Sequence, residues 1–288
     1  MVAVYKRELK AYMSNVYGWL FAAVLLLFVG FMMFLENLIG GYPYIEYALT
    51  DGQYVLLLMI PILCMRSMSE DKHNKTDMFY LSLPMRTSSV VLGKYLALLT
   101  VYATPCAVIS VYPLVLGIFG EVNYLNGYAS ILFFFLLGAA LIAVCQFLSS
   151  LTDHLVVSAV LGVLASAVLF FLPTLTGLLP DTALVSFVGL VIIAAVFTAV
   201  AYWVTRSLNV TALTGVLLIV PLSIAYIWLG DRFAGLLSGL LYFVSPTLQF
   251  AAVGQYGIFS IQSLVLFLSY PVFFVFLTVQ SADKKRWA

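Results

Sequence analysis

The side chains with the most chemistry to offer lie in one stretch, Arg66 to Lys94. It carries Arg66, Lys72, Lys75, Arg86 and Lys94 against Glu70, Asp71 and Asp77. A plain connection between two helices needs only a few residues; this one is longer and has internal order. Asn74 or Thr76 is placed to cap a short helix, and Asp77 suits its first turn, where an anion meets the positive helix end. Met78, Phe79 and Leu81 supply apolar contacts, and Pro84 ends the helix. Thr87 or Ser88 can cap the next helix, which runs through Val90 and Val91. Charge, caps and a few apolar side chains make a surface for protein contact. The periodicity alone fits a solvated loop with an interfacial helix equally well.

Other reactive side chains are scattered. Cys64, Cys106 and Cys145 sit inside apolar runs with no CxxC spacing, which reads as buried, inert thiols. His73 and His154 are too few and too far apart for a metal or haem site. Asp153-His154 reads as a polar turn pair. Gly93-Lys94 is followed by Tyr95, so no G-x-x-x-x-G-K-[ST] phosphate loop is formed there or elsewhere. Gly93 reads as a close-packing position and Lys94 as a side chain snorkelling to the membrane interface. No catalytic set is visible, and the chain is not expected to be an enzyme or to hold a cofactor.

The elements that must position these groups are set by composition. Of 288 residues, 64% are hydrophobic and 9% charged, far from the roughly 45–50% and 25% of a soluble domain. That excludes disorder and argues strongly against a soluble enzyme. Net charge +1 argues against nucleic-acid binding. Unbroken apolar runs such as Phe21–Leu35 are helical spans rather than alternating barrel strands. The predicted fold is all-α and polytopic, with eight spans at about 17–37, 53–68, 95–119, 128–150, 155–179, 184–205, 210–230 and 259–280. The first run is too long for a cleavable signal and reads as a retained span.

With the N-terminus inside, only Arg232 of the 13 Lys and Arg falls in an outer segment. By the positive-inside rule both termini are then cytoplasmic, and the number of spans is even. Lys6, Arg7, Lys10, Lys94, Lys285 and Arg286 are the expected inner-interface anchors. Parity assigns 233–258, broken at Ser245-Pro246 and at Gly254 and Gly257, to an outer re-entrant helix–turn–helix; Gly235-x-x-x-Gly239 there suits close helix packing. Residues 2–16 read as an amphipathic interfacial helix with Val2, Tyr5, Leu9, Tyr12 and Val16 on its apolar face. Residues 1–288 form one transmembrane domain. Prolines 61, 105, 113, 173, 221 and 271 lie in or beside spans as kink positions. Gln146, Thr104, Ser110, Ser158, Ser166 and Thr198 are available either to a substrate path or to interhelical hydrogen bonds.

The run Met65-Arg66-Ser67, with Glu70, Thr76, Leu81, Pro84 and Val91-Leu92-Gly93-Lys94-Tyr95-Leu96, resembles the coupling-helix region of ABC-2 type transporter permeases, closest to the gliding-motility-type branch. The opening Tyr5–Tyr12, the segment Ser245–Phe250 and the ending Phe276–Gln280 with Lys285-Arg286-Trp287 are similar to that branch too; 155–232 matches only in being apolar. The family pattern has Gly where Lys75 stands and Glu where Met78 stands. The resemblance implies a six-helix core, here with an added hairpin within 155–232. It also implies pairing with a second permease, identical or different, and two copies of an ABC ATPase that carry ATP and Mg. Arg66, Glu70, Thr76, Asp77, Met78, Phe79, Leu81 and Pro84 would form the coupling region. The setting would be a prokaryotic plasma (inner) membrane, with export the expected direction.

Two other functions stay open on the residues alone. An ion-coupled secondary transporter would need buried intramembrane charges or an internal repeat, and neither is evident. A non-transporting membrane scaffold fits the composition as well.

Overall fold

Long apolar runs become helices in lipid because each backbone N–H and C=O must find its partner within the segment. A computed structural model bears this out over residues 1–76, 86–178, 180–205, 208–256 and 261–287, the residues the structure describes. Side chains at 175–176, 200–201, 203–205, 208–210, 229, 231, 253–256 and 285–287 are not described. Among the described residues all regular structure is helical.

In chain order the helices are α1 (Val2–Ser14), α2 (Val16–Met32, continuing as a π-helical stretch Met33–Ile39), α3 (Ile45–Cys64), α4 (Ser69–His73), α5 (Thr87–Ile109), α6 (Tyr112–Phe119) and α7 (Tyr124–Leu151). Then come α8 (Leu155–Leu178), α9 (Ala183–Thr205), α10 (Leu208–Leu229), a 3-10 turn Gly230–Phe233, α11 (Leu236–Val244), α12 (Pro246–Tyr256) and α13 (Ile261–Trp287). Among the described residues, seven stretches are long and apolar enough to cross a membrane: Val16–Ile39, Ile45–His73, Thr87–Phe119, Tyr124–Leu151, Leu155–Thr174, Thr211–Trp228 and Ile261–Lys284. A shorter apolar stretch, Ala183–Ala199, lies in α9. These correspond to the eight expected spans. The chain is a multi-pass helical membrane protein.

The helices gather into two compact units, Met1–Phe170 with Pro246–Ala288, and Phe171–Ser245. In the first, α7 is central and packs against α3, α5, α12 and α13. Side-chain-to-carbonyl hydrogen bonds join α5 to α7. Tyr95 donates to Ala139 O (3.1 Å), Tyr102 to Phe134 O (2.8 Å), and Gln146 Nε2 to Val91 O (3.1 Å). Gly138 admits the Tyr102 ring; a Cβ there would stand 2.3 Å from it. Ser166 Oγ likewise reaches Leu57 O of α3 (2.9 Å). Thr104, Ser110 and Thr198 instead bond carbonyls of their own neighbourhood, three or four residues back. Gln146 and Ser166 are thus the interhelical pair in that set.

The second unit is mainly the hairpin of α9 and α10, with Phe187 stacked on Tyr226 (ring centroids 4.5 Å apart). No side chain of Thr211–Trp228 is buried. α11 packs on α9, where Leu237 lies over Gly189.

Local chemistry sets several boundaries. The third expected span begins earlier, at Thr87, and breaks at Ser110-Val111, because Pro113 opens α6 and has no N–H to continue the ladder. The expected cap by Thr87 or Ser88 is not used: the residue before α5 is Arg86, and Thr87 Oγ1 bonds Asp283 Oδ1 of α13. The expected break at Ser245-Pro246 separates α11 from α12. Gly235-x-x-x-Gly239 could serve close packing or none, and among the described residues a Cβ at Gly239 would meet nothing within 4 Å. Gly235 is needed for its backbone, at φ 78 before α11.

Candidate partner-coupling site

The structure places an element in the Arg66–Lys94 stretch that periodicity did not disclose. Ser69–His73 forms α4, five residues long. Glu70 and Asp71 occupy its first turn and Lys72 and His73 its last, the order that suits a helix dipole. Met68, before the helix, offers no side-chain cap. The cap comes from α7: Ser149 Oγ accepts from Met68 N (3.2 Å) and Ser69 N (3.1 Å).

The other end closes as a Schellman motif. Thr76 N donates to Asp71 O (2.8 Å) and Lys75 N to Lys72 O (3.1 Å). Lys75 takes the left-handed position, φ 57, which glycine fills without steric cost. The family resemblance leads to an expectation of Gly at this position. The helix expected to start at Asn74 or Thr76 lies outside the described residues, as do Asp77, Met78, Phe79, Leu81 and Pro84.

α4 is tied to the bundle by a buried charge network. Lys94 was expected to snorkel, yet it is 2% exposed. Its Nζ lies 2.6 Å from Asp71 Oδ2 and 3.4 Å from Glu8 Oε1 and donates to Ser67 O. Three acceptors thus face the three ammonium hydrogens. Arg7 extends the network, with Nη2 at 2.7 Å from Glu8 Oε1 and 3.8 Å from Asp71 Oδ1. Thr76 Oγ1 donates to Asp71 Oδ1 (2.9 Å). An ammonium taken out of water persists only when paired in this way.

Gly93 makes the pairing possible. A Cβ at Gly93 would stand 3.2 Å from Met1 O and from Val4 Cβ, so its absence lets α1 lie close along α5. The face of α1 that is buried holds Val4, Glu8 and Tyr12, whereas Val2 and Val16 of the expected apolar face are exposed. Burial pushes the Tyr12 phenol well above its ordinary pKa, and it donates to Leu63 O (3.4 Å).

Arg66 grips Glu70 with two nitrogens, Nε to Oε2 at 2.9 Å and Nη2 to Oε1 at 2.5 Å, while its guanidinium lies 4.6 Å from the Tyr17 ring centre. Lys72 bonds Ser150 O and lies 3.7 Å from Asp153 Oδ1, so Asp153 serves as a polar turn partner. Ser281 Oγ also donates to Ser150 O (3.4 Å). Lys6 and Lys10 are exposed; α13 carries Lys285 and Arg286, whose side chains are not described.

The structure thus brings Arg66, Glu70, Thr76, Arg7 and Lys94 to one place, around a cavity of about 350 Å³. Glu8 and Asp71 line it too, and Ser149 caps α4; Asp71 stood out in sequence as a charge of the polar stretch, whereas Glu8 and Ser149 did not stand out. The acid–base order of Glu70-Asp71-Lys72-His73 is a signal that could have found α4; Glu8 and Ser149 carry none.

Residues 5–211, well over half of the chain, match the family described as ABC-2 family transporter protein. The chain belongs to the ABC-2 transporter family. Membership makes it a membrane component of an ABC transporter, a class of assembly that works with an ABC ATPase. The matched range of this ABC-2 protein includes 155–211, where the resemblance had been no more than apolar, and stops before the Phe276–Trp287 ending. No curated protein and no solved structure matches the chain.

Proposed function

We propose that this chain is the permease subunit of an ATP-driven exporter, of the gliding-motility type within the ABC-2 family. Residues 1–288 form one transmembrane domain, a six-helix core with the α9–α10 hairpin added. The domain pairs with a second permease, identical or different, in a prokaryotic inner membrane. Two copies of a separate ATPase carry ATP and Mg and dock on the 66–94 region. Both chain ends lie on the cytoplasmic side, α1 lies at the inner interface, and 233–258 dips in from the outer side.

The observation that supports this reading most is the attachment of α4. The element next to the expected coupling helix is fixed to α7 through Ser149 and to α1 and α5 through Lys94. A push on 66–94 would therefore reach three helices through short polar contacts, which is what a motor-driven connection requires.

Purification of the tagged full chain from its native host tests it. Recovery of an ABC ATPase subunit, lost when Asp77 is replaced by Arg, is the expected result. Recovery of the permease alone, from several mild detergents, would count against it.

A further inference from the structure

The cavity beside α4 has a composition that a simple ion does not suit. Arg7, Arg66 and Lys94 line it together with Glu8, Glu70 and Asp71, so its formal charges cancel. Its volume of about 350 Å³ lies within the range of small-ligand sites, roughly 300–1,000 Å³. Lys94 closes its floor, buried and satisfied by three acceptors. Arg7, Arg66 and Glu70 form the reachable rim, with side chains 54%, 24% and 33% exposed.

We infer that this cavity seats the headgroup of a zwitterionic phospholipid bearing a primary amine, such as phosphatidylethanolamine. Its phosphate accepts from the Arg7 and Arg66 guanidinium groups, and its ammonium donates to Glu70. A bare anion would draw Arg66 off Glu70 and leave that carboxylate without its guanidinium, while Glu8 keeps Lys94. A bare cation would do the reverse. A zwitterion exchanges partner for partner, so both ends of the Arg66–Glu70 pair keep a charge-assisted hydrogen bond. The planar guanidinium fork suits phosphate. Glu70 needs a donor hydrogen, which a quaternary ammonium lacks.

The surroundings suit an anchored lipid better than a soluble phosphoester. The rim passes through Asn15 and Tyr17 to the first turn of α2, where Val16, Trp19 and Leu20 are exposed. Trp19 Nε1 donates to Met13 O (2.8 Å), which fixes the indole at the α1–α2 junction. Trp and Tyr favour the headgroup level of a bilayer, and an apolar span start beside the rim gives the acyl chains a surface. Assignment to the inner leaflet rests on the proposed orientation; the seat itself does not, and it needs no ATPase to be tested.

The test is lipid titration of the purified full-length protein, read by native mass spectrometry, with phosphatidylethanolamine, phosphatidylcholine and phosphatidylglycerol. One phosphatidylethanolamine per chain is expected to be retained about tenfold more tightly than the other two, with R66Q and E70Q each abolishing the preference. Glycerophosphoethanolamine, which lacks chains, should displace it only at about a hundredfold higher concentration or more. Equal retention of the three lipids, or a preference unchanged by R66Q and E70Q, overturns the proposal. So does glycerophosphoethanolamine binding as tightly as the lipid. Should the variants fail to fold, a photoreactive phosphatidylethanolamine on the wild-type protein decides the matter. Adducts within 7–17 and 66–76 support the seat, and adducts only elsewhere refute it.

Discussion

Lys94 Nζ stands 2.6 Å from Asp71 Oδ2, inside the protein, although residues 74–86 separate the helices that carry them. Glu8 completes the arrangement from α1. One ammonium therefore holds three elements that are distant in sequence. Removing it leaves two carboxylates in a site from which water is largely excluded.

Lys94→Met should accordingly destabilise the protein by about 3–5 kcal/mol, the usual consequence of stripping one partner from a buried ion pair. The triple variant with Glu8→Gln and Asp71→Asn should recover most of that loss, because no buried charge loses its partner: Arg7, which also gives up both carboxylates, is 54% exposed. Thermal unfolding of the three proteins in the same detergent checks this. Equal stability of single and triple variants would show that the network carries no charge coupling.

At the end of α4 the left-handed Lys75 invites the opposite kind of change. Lys75→Gly should stabilise the Schellman turn by about 1 kcal/mol, and Lys75→Val should weaken it by a similar amount. Hydrogen exchange at the Lys75 and Thr76 amides is the readout. Glycine should slow it about fivefold for 1 kcal/mol, and valine should speed it.

Ser149→Ala removes the cap that α7 supplies to α4. A lost cap costs about 1 kcal/mol, so the Met68 and Ser69 amides should exchange about fivefold faster. The amides of α7 itself should be unaffected.

Gly93→Val should detach α1. A Cβ there already meets Met1 O and Val4 Cβ at 3.2 Å, and valine adds two methyl groups to that contact. Overpacking of this kind costs about 1–3 kcal/mol. Limited proteolysis should then cut near Asn15 while the remaining helices stay protected.

The fold was largely legible because its signals are local. Twenty-residue apolar runs announce spans, and Ser245-Pro246 announces a break, through chemistry carried by the residues concerned. The Ser110-Val111 break is half legible: Pro113 marks a kink position, but apolar residues continue on both sides. The site was legible only in outline. Arg66, Glu70 and Thr76 stood out as polar residues between spans. Their partners Glu8 and Ser149 lie far off in the chain, and hydropathy places a glutamate in solvent whatever it meets after folding. The expected apolar face of α1 shares Tyr12 with the buried one but lacks Val4 and Glu8 for that reason: the buried stripe Val4, Glu8, Tyr12 has a charge at its centre. Lys94 followed the same error, since a lysine at a span end snorkels only when no buried acid awaits it.

Docking of a motor subunit on the 66–94 connection is what the proposed function requires. Photo-crosslinking in the native host tests it most directly, with Phe79→p-benzoylphenylalanine as the probe and Trp19→p-benzoylphenylalanine as the control on the exposed face of α2. An adduct is expected between position 79 and an ABC ATPase, and none from position 19. No ATPase adduct at position 79, with the protein folded and in the membrane, would contradict it.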